Sequence, residues 1–187
     1  MATKANIVQM YAESTPDKRI DIICKNYHNF EAIIKGKISA LMFSIEEEKE
    51  FNRREGRGDL GIRVKTSGYH SDVTGDTGVN ETLLEKAIIK CDFSGGILDG
   101  TDDEDKHIRD ACTLNRMRRE YNLFNSQMGY LSSPQKKLLL EYLTREKSIE
   151  DLAEQEGIQY RSVQKKISEI KMIVKKATVN AMERGDL

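Results

Sequence analysis

The stretch SIEDLAEQEGIQYRSVQKKI, Ser148 to Ile167, decides how this 187-residue chain is read. Leu152 and Ala153 lie near the middle of a short amphipathic helix, where the small Ala side chain admits a second helix at close range. Gly157 follows four residues after Ala153, where the first helix ends and the backbone often needs positive φ. Ile158 plugs the corner, Ser162 fills a small hydroxyl slot, and Val163 with Ile167 returns the second helix to the core. This spacing predicts a helix-turn-helix whose second helix is shaped to enter a DNA major groove. Helix pairs joined at a Gly turn also mediate protein contacts, and charge weighs toward DNA. Between Gly157 and Met182 stand Arg161, Lys165, Lys166, Lys171, Lys175 and Lys176 against Glu169 alone, six cations against one anion, for a net of +5. The preceding helix carries Glu150, Asp151, Glu154 and Glu156, so the unit is polarised, as expected if one face meets phosphate.

Working outward, Ser132-Ser133-Pro134 caps a helix over Gln135–Thr144 with Leu138, Leu139, Tyr142 and Leu143 inward, which supplies the first member of a three-helix domain. The last helix continues past a minimal unit, since Val163, Ile167, Ile170, Val174, Ala177 and Ala181 keep an alternating four-and-three spacing. That extension must bury its stripe, either on the helix Leu114–Met128 or against a second protomer. Further upstream, Leu114, Met117, Tyr121, Phe124, Met128 and Leu131 form a heptad-like seam on a helix that starts near Asp102–Asp105. Asn80 reads as the N-cap of a helix to Cys91, with Leu84, Ala87, Ile88 and Cys91 on one face, ended by Ser94-Gly95-Gly96. From Asp17 to about Arg54, Ile20, Ile23, Tyr27, Phe30, Ile34, Leu41 and Ile45 make one long helix or two in line, with Ile38 in the gap and Gly36 as a weak point. Residues 56–79 are punctuated by Gly56, Gly58, Gly61, Gly68, Gly75 and Gly78, and Leu60–Lys65 alternates like a short strand without a partner. They read as a linker or loop that separates modules.

The expectation is therefore an all-α chain: an N-terminal helical region at 1–55, a Gly-rich linker or loop at 56–79, a helical hairpin at 80–131 and a helix-turn-helix domain at 132–187 with an extended last helix. Composition agrees, with 33% charged residues, 38% hydrophobic ones and no Trp, which favours helices with small cores. The net charge of −1 carries no information on nucleic acid, because the cations are clustered. Cys24, Cys91 and Cys112, odd in number and set in apolar helical patterns, read as reduced, buried thiols. No signal peptide or membrane-spanning run is evident, so a bacterial cytoplasmic location without membrane contact is expected.

The candidate DNA-contacting residues are Gln159, Tyr160, Arg161, Ser162, Gln164, Lys165, Lys166, Ser168 and Lys171. Arg161 has the geometry to bridge guanine O6 and N7, and Gln164 to do the same for adenine. Lys165, Lys166 and Lys171 suit phosphates, and Tyr160 suits a phosphate or a thymine methyl. Catalytic and metal readings fare badly. Cys24 and His28 lie four apart but no second pair completes a site. The acidic run Asp99–Asp110 alternates like a calcium loop but has Glu104 at the Gly position and Asp110 at the final Glu, so helix capping explains it better. No cofactor, no metal and no enzymatic activity are expected.

The segment Leu131–Ala177 resembles region 4 of bacterial sigma factors in its leading helix, short break, Leu-Ala…Gly-Ile…Ser-Val unit and basic tail. The whole chain is similar to ArpU-type regulators of phage and mobile elements. SGYHSDVTGDTG, Ser67 to Gly78, is like a Ser-Asp-Pro-Thr segment of that group, with Val73 in place of Pro. The resemblance implies a sequence-specific transcriptional regulator, an activator of phage or mobile-element genes, that binds double-stranded DNA. RNA polymerase and a second copy of the chain are further partners it suggests. One alternative is a sigma-like factor that binds core polymerase. Such a factor should expose several aromatics on a basic promoter-melting helix, whereas Tyr27, Phe30, Phe43 and Phe51 fall mostly in or near the apolar stripe. The other alternative is a DNA-packaging or assembly adaptor.

Overall fold

A computed structural model of the chain describes residues 6–55 and 73–185, with residues 73–80 described by their backbone alone. Among the described residues every regular element is helical, as the sequence predicts for an all-α class. The stretch 56–72, with most of the expected linker and the Leu60–Lys65 alternation, lies outside the described residues.

The chain divides into two compact units, 1–33 with 116–187 and 34–115, which cut across the serial division expected from sequence. In the first unit, α1 (Ile7–Ala12) and α2 (Pro16–Asn26) lead through a 3-10 turn at Tyr27–Asn29 into the start of α3 (Phe30–Glu55). The unit is completed by the end of α5 (Glu104–Met128), α6 (Ser133–Leu143), α7 (Ile149–Glu156) and α8 (Tyr160–Glu183). Its core includes an aromatic cluster: Phe30 lies 5.4 Å from Tyr121 and 6.2 Å from Tyr11 between ring centroids, and Tyr27 lies 6.0 Å from Phe124. Beside it Glu120 is 1% exposed and fully partnered. Its Oε2 accepts from the Tyr11 hydroxyl at 2.6 Å and from Arg19 Nε at 2.8 Å, while Oε1 lies 2.8 Å from Arg19 Nη2. A buried carboxylate is tolerable on those terms, because the guanidinium fork meets it bidentately. Burial and the neighbouring Glu120 charge push the Tyr11 hydroxyl well above the usual tyrosine range, so it remains a donor.

The long α8 explains why the N-terminal helices belong to this unit. Twenty-four residues span about 36 Å, roughly three times the length of α7. Val163, Ile167, Ile170 and Val174 are all buried, each worth about 1.5–3 kcal/mol. Both α6 and α7 pack on α8, and α2 packs there as well. The extensive helix contacts of α8 are thus with α2, α6 and α7 rather than with the Leu114–Met128 helix. The α2 face that carries Ile20, Ile23 and Cys24 is buried with it.

In the second unit α3 contributes Ile34, Ile38, Leu41 and Ile45, all buried, and Gly36 does not interrupt it. The next helix, α4 (Val73–Lys90), starts seven residues before the expected cap at Asn80 and buries Leu84, Ala87 and Ile88. The start of α5 is fixed by α3. Glu48 Oε1 accepts from the backbone N–H groups of Asp102 at 2.6 Å and Asp103 at 3.2 Å, and Oε2 lies 2.6 Å from Nε2 of the buried His107. The hydrogen bond with His107, then that with Asp102, holds the Glu48 carboxyl below the ordinary glutamate value. Asn52 Nδ2 donates to the Gly100 carbonyl at 2.9 Å, and Lys49 Nζ donates to the Ile97 carbonyl.

Cys24 is a free, buried thiol, whose pKa burial pushes up to about 11. Cys91 and Cys112, expected to be reduced, form a disulfide, with Cα atoms 5.1 Å apart. The physical reason is local: α4 ends at Lys90, and Cys91 turns at φ 53° alongside α5. Both of these cysteines are half-buried.

Candidate nucleic-acid interface

Two short sequence signals build this region. Ser148 Oγ accepts from the Asp151 N–H at 3.1 Å, and the Asp151 carboxylate accepts from the Ser148 N–H at 2.9 Å, so α7 opens on a closed capping box. The Ser148 hydrogen bonds lower the Asp151 pKa. At its other end Gly157 takes φ 66°, the left-handed conformation expected of it, and its N–H joins those of the last turn in satisfying helix carbonyls. Gln159 then resumes extended geometry and caps α8 without a side-chain hydrogen bond. The first turn of α8 carries no acidic residue, and the first turn of α7 carries two, Glu150 and Asp151. Of the two helix starts in the pair, that of α8 is the one suited to an anion.

The exposed side of α8 follows from its buried side. At about 100° per residue, Arg161, Lys165 and Ser168 fall on one stripe opposite Val163, Ile167, Ile170 and Val174. All three are exposed, Lys165 at 79% of its side chain. Gln164 flanks this stripe on one side and Lys166 on the other, and both are exposed. Gln159, Tyr160 and Ser162, in the cap and first turn, are exposed as well, Tyr160 at 42%. Ser162 therefore does not sit in a buried slot, and Ile158 at the corner is half-buried. Among the described residues Arg161, Gln164 and Lys166 have no side-chain hydrogen-bond or ion-pair partner, and Lys165 has only a 3.9 Å approach to Glu169.

Lys171 stands apart from the other expected contacts. It is half-buried on the flank that meets α2, near enough to Cys24 for its charge to act on that thiol. Lys175, counted in the basic total, is engaged too: Nζ lies 2.8 Å from Asp21 Oδ2 and 3.6 Å from Asp17 Oδ1. Partial burial lowers its pKa, but the two aspartates outweigh that and hold it above the ordinary lysine value. Sequence counting could not show this, because the aspartates lie some 150 residues away. Sequence reading also passed over Met172 and Ile173, which are 52% and 54% exposed; they fall outside the apolar stripe, and that is the signal for it.

Of the four N-terminal aromatics, Tyr27 and Phe30 belong to the aromatic cluster, while Phe43 and Phe51 on α3 are 64% and 60% exposed. Cys24 is buried and His28 exposed, and among the described residues no group of three His, Cys, Asp or Glu side chains gathers at metal-binding range. Nor is any helix among them long and apolar enough to cross a membrane. No family model, curated protein or solved structure matches the chain.

Proposed function

We propose that this protein reads double-stranded DNA in a sequence-specific manner through the first three turns of α8, and that it regulates transcription. The observation that carries this reading is the row Arg161, Gln164, Lys165 and Ser168, exposed and polar on a helix whose opposite side is packed. Arg161 and Gln164 supply bidentate base contacts worth about 1–3 kcal/mol each, and Lys165 and Lys166 neutralise phosphate. Lys171 and Lys175 are left out of the contact set, because one is half-buried and the other is paired with α2. The resemblance of residues 131–177 to sigma region 4 supports the same assignment, and the wider resemblance to ArpU-type regulators points to phage or mobile-element genes.

Fluorescence anisotropy with labelled duplexes over a salt series tests it. Arg161→Ala should lose preference at one base position. Lys166→Ala should weaken all sequences alike and reduce the slope of log affinity against log salt by about one. Equal affinity of wild type and both variants for every duplex would refute the assignment. A second reading, a sigma-like factor held by RNA polymerase, draws on the exposed Phe43 and Phe51, which have the character of a protein-contact site. Co-purification with polymerase that Phe43→Ser abolishes would support it, and no co-purification by the wild type would remove it.

A further inference from the structure

From the end of its third turn, α8 presents a second exposed face that the proposed DNA contacts do not use. Glu169, Met172, Ile173 and Lys176 are all exposed, the two apolar members at 52% and 54%. At about 100° per residue these four centre about 80° around the helix from Arg161, Gln164, Lys165 and Ser168. The face reads acid, apolar, apolar, base along the chain, so it is complementary to itself when turned end for end.

We infer that this face pairs with its copy on a second molecule, through an antiparallel crossing of the two α8 helices at a two-fold axis between Met172 and Ile173. The axis brings the apolar pair onto its own copy and sets Glu169 against the other molecule's lysine at position 176, and Lys176 against the other molecule's glutamate at position 169. A two-fold interface requires this kind of self-complementarity. In the single molecule Glu169 is 62% exposed and meets only Lys165, at 3.9 Å, so it has carboxylate capacity to spare. The contact is small, so it makes a concentration-dependent dimer of the weak class rather than an obligate one.

Resting on the DNA-reading proposal, the pairing also sets the distance between the two reading rows. From the axis to Arg161 is about eleven residues, or about 17 Å of helix, so the two Arg161 positions stand about 30–35 Å apart, the lower value for helices crossing at about 50°. Adjacent major-groove half-sites are separated by about 34–36 Å. The roughly right-angled offset between the two faces lets both reading rows point along the two-fold axis toward one duplex. The occupant is thus a second copy of this chain, and the target is an inverted repeat with half-sites one helical turn apart.

Sedimentation equilibrium of the full-length protein over a range of concentrations tests the pairing without DNA. Wild type should show a monomer–dimer equilibrium, which Ile173→Glu weakens by about tenfold or more. Glu169→Lys and Lys176→Glu should each weaken it by opposing like charges, while the double exchange Glu169→Lys with Lys176→Glu should restore it to about threefold of wild type. A wild type that stays monomeric at every concentration would overturn the inference. So would a dimer indifferent to these variants, which would use another face or partner. Binding of Ile173→Glu to a duplex with one half-site separates the two proposals: retained affinity keeps the DNA reading whatever becomes of the dimer, and no affinity in variant and wild type alike removes the reading and leaves the dimer result standing.

Discussion

Replacing Arg19 by Leu should destabilise the protein by about 3–5 kcal/mol, because it strands a buried charge. Glu120 is 1% exposed; it takes one hydrogen bond from Arg19 Nε at 2.8 Å and one from Tyr11 at 2.6 Å, and its other oxygen lies 2.8 Å from Arg19 Nη2. Without the guanidinium, one neutral donor is left to compensate an ionised carboxylate away from water. Tyr11→Phe leaves the ion pair in place and should cost only about 1.5–3 kcal/mol, the value of one hydrogen bond to a charged group. For a chain of this size each kcal/mol lowers Tm by about 2–4 °C, so Arg19→Leu should melt about 6–20 °C below wild type. Circular dichroism at 222 nm during thermal and urea unfolding measures both. The double variant Arg19→Leu with Glu120→Leu removes the stranded charge along with its partner, and should recover much of the loss. An Arg19→Leu protein that melts with wild type, or a double variant as unstable as the sum of its singles, would refute this view of the network.

Three further perturbations probe local contacts in the two units. Gly157→Ala meets no neighbouring atom within 4 Å, so its cost is that of a left-handed Ala at φ 66°, about 1–2 kcal/mol, read as a lower urea midpoint. Glu48→Gln removes the carboxylate that ties the start of α5 to His107, whose Nδ1 already lacks a partner among the described residues, and should cost about 1–3 kcal/mol at neutral pH. Because the folded pKa of Glu48 is depressed, its stabilisation is full above the ordinary value of 4.5 and is lost as pH falls through the folded value. The Tm gap between wild type and Glu48→Gln should therefore close in acid, and a gap that widens there would count against the assignment. Lys175→Met should lower stability by no more than about 1 kcal/mol and leave DNA affinity unchanged, because its charge is already spent on Asp17 and Asp21; a changed salt slope in the anisotropy series would return it to the contact set.

What was legible in the sequence was local. The left-handed Gly157 and the packed stripe Val163–Val174 each follow from neighbours within a few residues, and the exposed row of α8 follows from that stripe. The partner of the stripe's extension was not legible, since Val174 and Ile20 lie more than 150 residues apart and periodicity carries no information on pairing. The disulfide was hidden for a different, local reason: it depends on the positive-φ turn at Cys91, which helical periodicity does not reveal. The early start of α4 runs against the poor helix propensity of Gly75 and Gly78. Glu120 sits in the charged run Arg118-Arg119-Glu120, which reads as surface, yet its position three after Met117 and four before Phe124 places it on the seam. At the candidate site, exposure could be inferred for most residues, but the diversion of Lys171 and Lys175 toward α2 required the tertiary fold.

Selection from a pool of random double-stranded oligonucleotides, with the purified protein alone at near-physiological salt, tests the DNA-reading proposal most directly. An enriched motif whose base preference at one position disappears with Arg161→Ala is the expected result. A pool that stays random after repeated rounds, with wild type and Arg161→Ala indistinguishable, would contradict it.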